Sequence, residues 1–405
     1  MASAKLKKLI KEDKEYLFQN YGNRFAVNFV KGNGSYLFDQ DSNKYIDFLS
    51  GISVCNLGHN FAPVKSAALK QVQAISHSSN FFINKEQIEA AKLLSESAFP
   101  GKTLFLNSGT EANEAIIKLV RKYGLTKGKK HTEIITFNNS FHGRTYGSMS
   151  ATGQSKIHDG FGPIVPGFIY LPYNDLAQFN KTVRKNKNIT AVMMELIQGE
   201  GGIHIAQKKF VTEVYKICKE KDIVLVIDEI QTGIGRTGTP FAFQHYNIIP
   251  DAITLAKGLG NGIPIGAVHT KKYLAEYFTR GVHGSTFGGN HVACAAAAVV
   301  LKELHKKSLI INIEKVSSFF LERLHELQKK LSIITEVRGM GLHIGIEVAR
   351  SGPEIVQKAL DQGLIINCTA GNVIRFMPPL NIPFATAKAG MKIFENIVLE
   401  EEGTV

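Results

Sequence analysis

Four polar side chains interrupt apolar runs in the middle of the chain: Ser108 follows "LFLN", Glu195 breaks "AVMMELIQ", Asp228 ends "IVLVID" and Lys257 ends "AITLA". Lysine is a surface residue, so an amine at the end of a buried strand carries a desolvation penalty unless something compensates it. Desolvation also favours the uncharged amine, and an uncharged amine attacks aldehydes. A carboxylate in the same kind of position needs a cation or strong donors. Asp228 could be a structural ion-pair partner, a metal ligand or the counter-charge of a heterocyclic nitrogen. No metal is expected, because Asp228 and Glu229 are neighbours on a strand and point to opposite faces, and no histidine follows at ligand spacing.

A third element lies upstream, in "NSGTEANEAIIKLVRK". Ala112, Ala115, Ile116, Leu119 and Val120 fall on one helical face. Ser108, Gly109 and Thr110 then mark the turn from strand to helix, where free N–H groups, the dipole and a glycine suit a phosphate. Taken singly, these features have ordinary structural readings: a capped helix, a buried ion pair, a packed strand end. The glycines of "KGLGNGIPIGA" do not spell a dinucleotide fingerprint either, because Ile263 stands where the third glycine would be needed. A phosphate cradle, a strand-end acid and a strand-end amine together match pyridoxal 5'-phosphate. Lys257 would attach to its aldehyde and Asp228 would keep its ring nitrogen protonated.

The elements that must position these groups follow from the patterning. Between about residues 100 and 270, short apolar runs alternate with longer amphipathic ones, which indicates strands and helices of a mainly parallel α/β sheet. Runs such as "IVLVID" are apolar at consecutive positions, as in strands covered on both faces. Ligands gather beyond the carboxyl ends of such strands, where the four polar residues lie. Strand-rich sequence precedes this region, and long helices and short strands follow it. A large cofactor-binding domain over 61–301 is therefore expected, with a smaller α+β domain built from 1–60 and 302–405.

Bulk properties narrow the function. The chain has 405 residues, 44% hydrophobic and 20% charged, the composition of an ordinary globular protein. "VACAAAAVVL" is about half the ~18 apolar residues of a membrane span and reads as a buried helix. The lysine-rich amino terminus lacks the features of a secretory signal or transit peptide and reads as an amphipathic surface helix. Cys55, Cys218, Cys294 and Cys368 are scattered, consistent with a reducing cytoplasm. The net charge of +13 comes without interleaved aromatics or a nucleic-acid-binding motif, so no nucleic acid and no membrane are expected as partners. A positive field could instead draw dicarboxylates.

Several stretches are specific enough to name a relationship: "NSGTEANEAIIKLVRK", "SFHGRTYGSMSATGQSKIHDGFGP", "QGEGG", "DEIQTGIGRTG", "LAKGLGNGIPIGA", "HGSTFGGNHVACAAA" and "NVIRFMPPLNI". From about residue 20 to the end the chain resembles class III (ω-amino acid) aminotransferases of fold type I, and within that group acetylornithine aminotransferases. The resemblance implies that Gly109 and Thr110 hold the cofactor phosphate, and that Phe141 and Ile230 flank its ring. It implies that Asp228 pairs with the ring nitrogen and that Gln231 reaches the phenolic oxygen. Thr286 would contact the phosphate of a neighbouring subunit, with Ser285 near the substrate, so a homodimer with shared sites is implied. Arg144 would recognise the substrate carboxylate, a match for a guanidinium fork. Arg375 would bind the α-carboxylate of glutamate and 2-oxoglutarate, and Glu200 would cover Arg375 when the other substrate is bound. His142 would be an acid–base group or a polar neighbour of the ring.

The implied reaction passes the terminal amino group of N-acetylornithine to 2-oxoglutarate, a step of arginine biosynthesis, and N-succinyl-diaminopimelate is a second candidate donor. Ornithine, succinylornithine and 4-aminobutyrate aminotransferases are the alternatives. Ile52 stands where ornithine δ-aminotransferases carry a tyrosine, and Phe141-His142 where they read Phe-Trp. Leu196 replaces a common proline. A mutase or decarboxylase on the same scaffold is disfavoured by Arg375 with Glu200, since a mutase has no second carboxylate substrate. A basic nucleic-acid-binding protein is the third reading.

Overall fold

The computed structural model describes residues 3–22 and 24–403. Residues 1–2 and 404–405, the tips of the expected small domain, and residue 23 lie outside the described residues.

Its centre is a seven-stranded sheet in the order Lys102–Leu106, Gly266–Thr270, Ala252–Leu255, Val224–Asp228, Ile189–Met194, Glu133–Phe137, Phe168–Leu171. The strands Ile189–Met194, Val224–Asp228 and Ala252–Leu255 are buried at every residue. Helices cover both faces, which is why these runs are apolar without alternation. One strand departs from the parallel pattern: Gly266–Thr270 pairs antiparallel with both of its neighbours. It follows Ala252–Leu255 after residues 256–265 only, a connection shorter than the dozen or more residues that a parallel crossover requires.

The Gly109–Thr126 helix starts directly above the end of the Lys102–Leu106 strand. Its apolar face is buried as the spacing predicts, with Ala112, Ala115, Ile116, Leu119 and Val120 each at 3% exposure or less. Ser108 caps it, accepting a hydrogen bond from the Glu111 N–H at 3.3 Å. Apolar anchoring below and a cap above fix the position of the helix N-terminus over the sheet.

The two chain ends meet in a separate sheet. Phe29–Asn33, Tyr36–Asp39 and Lys44–Asp47 form an antiparallel meander, and Leu364–Ile365 pairs in parallel with Lys44–Asp47. A second carboxyl-terminal sheet holds Ile334–Met340, His343–Val348, Val373–Phe376 and Asn367–Thr369. Phe48, from the amino-terminal segment, packs edge-on against Phe320 and Phe376 at 5.2 Å each. Aromatic edge contacts of this kind add to area burial and join the ends of the chain into one core. The Ala4–Tyr16 helix lies on the surface with only Leu6 buried, and His291–Glu303 is the buried alanine-rich helix. Among the described residues no helix is long and apolar enough to cross a membrane.

Gly266 shows how tightly sheet and helix are joined, since a Cβ there would lie 2.1 Å from the Ser108 carbonyl oxygen. Gly266→Ala should cost about 1–3 kcal/mol of stability in urea unfolding, the usual penalty of overpacking.

Candidate active site

The ends of the central strands open into a cavity of about 420 Å³. Ser108, Gly109, Thr110, Phe141, Arg144, Glu200, Asp228, Ile230, Gln231 and Lys257 all line it. His142 and Glu195, also singled out from sequence, line it too, while Arg375, Ser285 and Thr286 stand outside the lining.

Lys257 opens a short 3₁₀ turn, Lys257–Gly260, just past the Ala252–Leu255 strand. Its φ of +42° is left-handed, an uncommon conformation for a residue with a side chain. The chain packs closely behind it, where a Cβ on Gly258 would come within 2.4 Å of Asn56 Nδ2. Burial pushes the Lys257 amine below its ordinary value of 10.5. The Glu200, Asp228 and Glu195 carboxylates oppose that effect and the Arg375 charge adds to it. Burial thus makes the Lys257 ammonium less favourable than it is in water.

Asp228 is 3% exposed. Its Oδ2 accepts from Asn113 Nδ2 at 2.8 Å and lies 2.8 Å from His142 Nδ1, while Oδ1 accepts from the Ile230 N–H at 3.1 Å. Burial alone would lower the His142 pKa; the hydrogen bond and charge of Asp228 reverse that and raise it. The buried acid thus has donors on several sides. Glu229 faces the other way, held by Thr232 Oγ1 at 2.6 Å and the Phe243 N–H at 2.9 Å. That is the alternation a strand imposes.

Around the helix N-terminus, Thr110 Oγ1 meets Ser148 Oγ at 2.6 Å and Thr145 Oγ1 at 2.9 Å. Two glycines keep this corner open to a ligand. A Cβ on Gly109 would strike Ile230 Cδ1 at 2.8 Å, and one on Gly143, whose φ is +137°, would strike Thr110 Oγ1 at 2.4 Å. Phe141 and Ile230 are both in the cavity wall, and the Arg144 guanidinium sits 5.6 Å from the Phe141 ring centre at the rim. Among the described residues the buried Gln231 Oε1 has no hydrogen-bond partner. Hydroxyls and free N–H groups at one end, a flat space between an aromatic and a branched side chain, and an acid and an amine at the other end fit a phosphorylated aromatic aldehyde.

Arg375 lies beneath this floor, 1% exposed. Its Nη1 donates to Glu200 Oε1 at 2.7 Å and to the Gly199 carbonyl at 3.1 Å, and its Nε donates to Asn367 Oδ1 at 3.0 Å. Burial pushes the Glu200 carboxyl up, but the Arg375 charge and hydrogen bond overcome that and hold it below the usual carboxylate range. Glu200 therefore stands between Arg375 and the cavity. Ser285 is tied to the lining through Asn107, whose Nδ2 donates to Ser285 Oγ at 3.2 Å, and Thr286 sits on an exposed loop.

Asn113 and Val54 were not anticipated. Asn113 carries a signal, a polar residue set among the apolar positions of the Gly109–Thr126 helix. Val54 carries none. Glu195 stood out in the sequence without a role; its oxygens accept from the Phe141 N–H at 3.0 Å and the Gly199 N–H at 3.4 Å. Burial, opposed by the His142 charge, raises its pKa to about 8.

The Lys257 penalty is measurable in protein stripped of cofactor. The unfolded chain binds the proton more tightly, so the cost of burial is full below the folded pKa and fades as pH rises to 10.5. Lys257→Met should raise the thermal midpoint of the apo-protein near neutral pH, and the gain should shrink steadily as the pH approaches 10.

The chain matches the model of the family described as "Aminotransferase class-III" over residues 17–398. It is 46% identical over 394 residues to the acetylornithine aminotransferase of Caldanaerobacter subterraneus subsp. tengcongensis, covering 97% of this chain and 99% of that one. It is 50% identical over 368 residues to the acetylornithine aminotransferase of Aquifex aeolicus, covering 91% and 95%. Among solved structures, the ornithine aminotransferase of Toxoplasma gondii superposes with a TM-score of 0.94 at 32% identity, covering 98% and 96%. The N-acetylornithine aminotransferase of Stenotrophomonas maltophilia gives 0.83 at 32% identity, covering 96% and 99%.

Proposed function

The chain belongs to the class-III aminotransferase family, and from that premise we propose that it is a pyridoxal 5'-phosphate-dependent transaminase. Its reaction carries the terminal amino group of N2-acetyl-L-ornithine to 2-oxoglutarate, giving N-acetyl-L-glutamate 5-semialdehyde and L-glutamate. The observation that carries this reading is the amine of Lys257, its pKa lowered by burial, sharing one cavity with the hydrogen-bonded acid Asp228.

When bound, pyridoxal 5'-phosphate supplies an aldehyde that condenses with amines and a protonated ring that withdraws electrons from the reacting carbon. The chain's own residues do the rest. Gly109, Thr110 and the capped start of the helix hold the phosphate by N–H and hydroxyl donors. Phe141 and Ile230 confine the ring, and Gln231 contacts its phenolic oxygen. Asp228, fixed by Asn113 and His142, keeps the proton on the ring nitrogen. Lys257, in the cavity wall, would be the attachment point for the aldehyde and, as a free amine, the group that takes and returns the substrate proton as general base and acid.

Two substrates with different ends must use one pocket. Glu200 neutralises Arg375 while the acylated diamino acid is bound, and swings aside when glutamate or 2-oxoglutarate brings a carboxylate of its own. Arg144 at the rim receives the donor's carboxylate. The names of the sequence relatives support acetylornithine as donor, and Ile52 in place of a tyrosine agrees with it. The ornithine aminotransferases among the solved structures keep free ornithine as the second reading. A homodimer is supported by one exposed apolar face: Phe81, Phe82, Ile83 and Phe287 are 94%, 69%, 90% and 61% exposed. Asn80 Nδ2 joins the two loops that carry them, donating to the Ser285 and Gly288 carbonyls at 3.0 and 2.9 Å. On that face Thr286 would reach a neighbour's phosphate. Four unpaired cysteines among the described residues fit the cytoplasm.

Steady-state assays should give a higher kcat/KM for N-acetylornithine than for free ornithine or 4-aminobutyrate; the reverse order would move the substrate assignment to another branch of the family. Glu200→Gln should raise the donor KM about tenfold, in line with the ~1.5 kcal/mol of a charged hydrogen bond. It should lower the KM for 2-oxoglutarate, because Arg375 is then uncovered.

A further inference from the structure

Arg236 is fully buried and no carboxylate is among its hydrogen-bond partners. Its donors are used on three distant parts of the chain. Nε donates to Ser53 Oγ at 2.9 Å, and Nη2 to Asn56 Oδ1 at 2.6 Å and Ser50 Oγ at 3.3 Å. Nη1 donates to the carbonyls of Leu342 at 3.0 Å and Pro378 at 2.6 Å. Burial pushes its pKa down to about 9, opposed by the charge of Asp47. A desolvated guanidinium is retained only where its fork of donors is fully used.

What it grips is itself unusual. Ser50, Gly51, Ile52 and Ser53 have φ values of 46°, 66°, 63° and 62°, a full left-handed turn. L-residues visit this region singly, not in runs, because the Cβ crowds the carbonyl. Strain of this kind persists where surrounding structure over-determines it, and it gathers at functional sites. Here Asp47 Oδ1 accepts from the Leu49 and Ser50 N–H groups at 2.8 Å each. The turn then places the hydroxyls of Ser50 and Ser53 on one side, facing Arg236. An unpaired buried cation and a strained turn satisfy each other.

The turn leads straight into the cavity. Val54 lines it, and Asn56 backs onto Gly258 beside Lys257. Leu57 N–H donates to Asn261 Oδ1 at 2.7 Å, closing the brace on the far side of the same 3₁₀ turn. We propose that Arg236 is a positioning residue that holds the left-handed Ser50–Ser53 turn, and through it the Val54 wall, in the shape that receives the amino donor. This rests on the aminotransferase reading.

Hydrogen exchange on apo-protein without substrate tests the pinning apart from catalysis. The N–H groups of Ser53, Val54 and Cys55 are bonded within the turn, to Leu49 and Ser50. In Arg236→Lys they should exchange at least tenfold faster, with the Gly109–Thr126 helix unchanged. In holoenzyme the same variant should raise the donor KM at least tenfold, keep kcat within threefold and retain the cofactor absorbance. If Arg236→Lys does not fold, the Ser50→Ala/Ser53→Ala double variant should give the same local pattern. The proposal is overturned if protection at residues 53–55 stays within twofold of wild type, or if it falls equally throughout the protein. It is also overturned if local exchange rises with the donor KM unchanged. A wild-type protein with no transaminase activity would instead remove the functional reading, whatever the exchange pattern.

Discussion

The constraint on which the structure depends is the desolvation of one amine. Lys257 occupies a position where burial penalises an ammonium and lowers its pKa. Such a position cannot be made by one element. The Ala252–Leu255 strand delivers the residue, the left-handed backbone turns it into the cavity, and Asn56 packed on Gly258 closes the space behind. Asp228, three donors around it, is the opposite case: an acid kept buried by hydrogen bonds and a histidine. The two groups lie at the ends of adjacent parallel strands, so the sheet itself sets the distance between amine and acid.

Around that axis two buried arginines are covered in different ways. Arg375 is sealed by Glu200, and Arg236 is sealed by serine hydroxyls, an asparagine and carbonyls. The first cover carries a charge and can be displaced by a competing carboxylate. The second consists of neutral groups from three chain segments and has no such competitor. One arginine suits a switch and the other a fixed wall, and the difference lies in the partners.

Much of the site was legible in the sequence because buried strands make polar interruptions conspicuous. Glu195, Asp228 and Lys257 each end or follow a fully buried strand and Ser108 follows a partly buried one, and the periodic face of the Gly109–Thr126 helix needs no tertiary information. The reversal of Gly266–Thr270 follows from the length of its connection, a constraint that apolar runs do not display. The partner of Asp228 was harder to see: His142 arrives from a loop 86 residues away. Val54 and the turn before it have no periodicity, and a left-handed backbone at Ile52 leaves no trace in a β-branched residue's identity. Ser285 and Thr286 are legible only by resemblance, since their expected target belongs to another copy of the chain.

The most direct measurement of the central claim is borohydride reduction of the protein purified with pyridoxal 5'-phosphate, followed by peptide mapping. The account predicts a single stable phosphopyridoxyl adduct on Lys257, in the peptide containing "LAKGLGNGIPIGA". An adduct spread over surface lysines, or none at position 257, would contradict it.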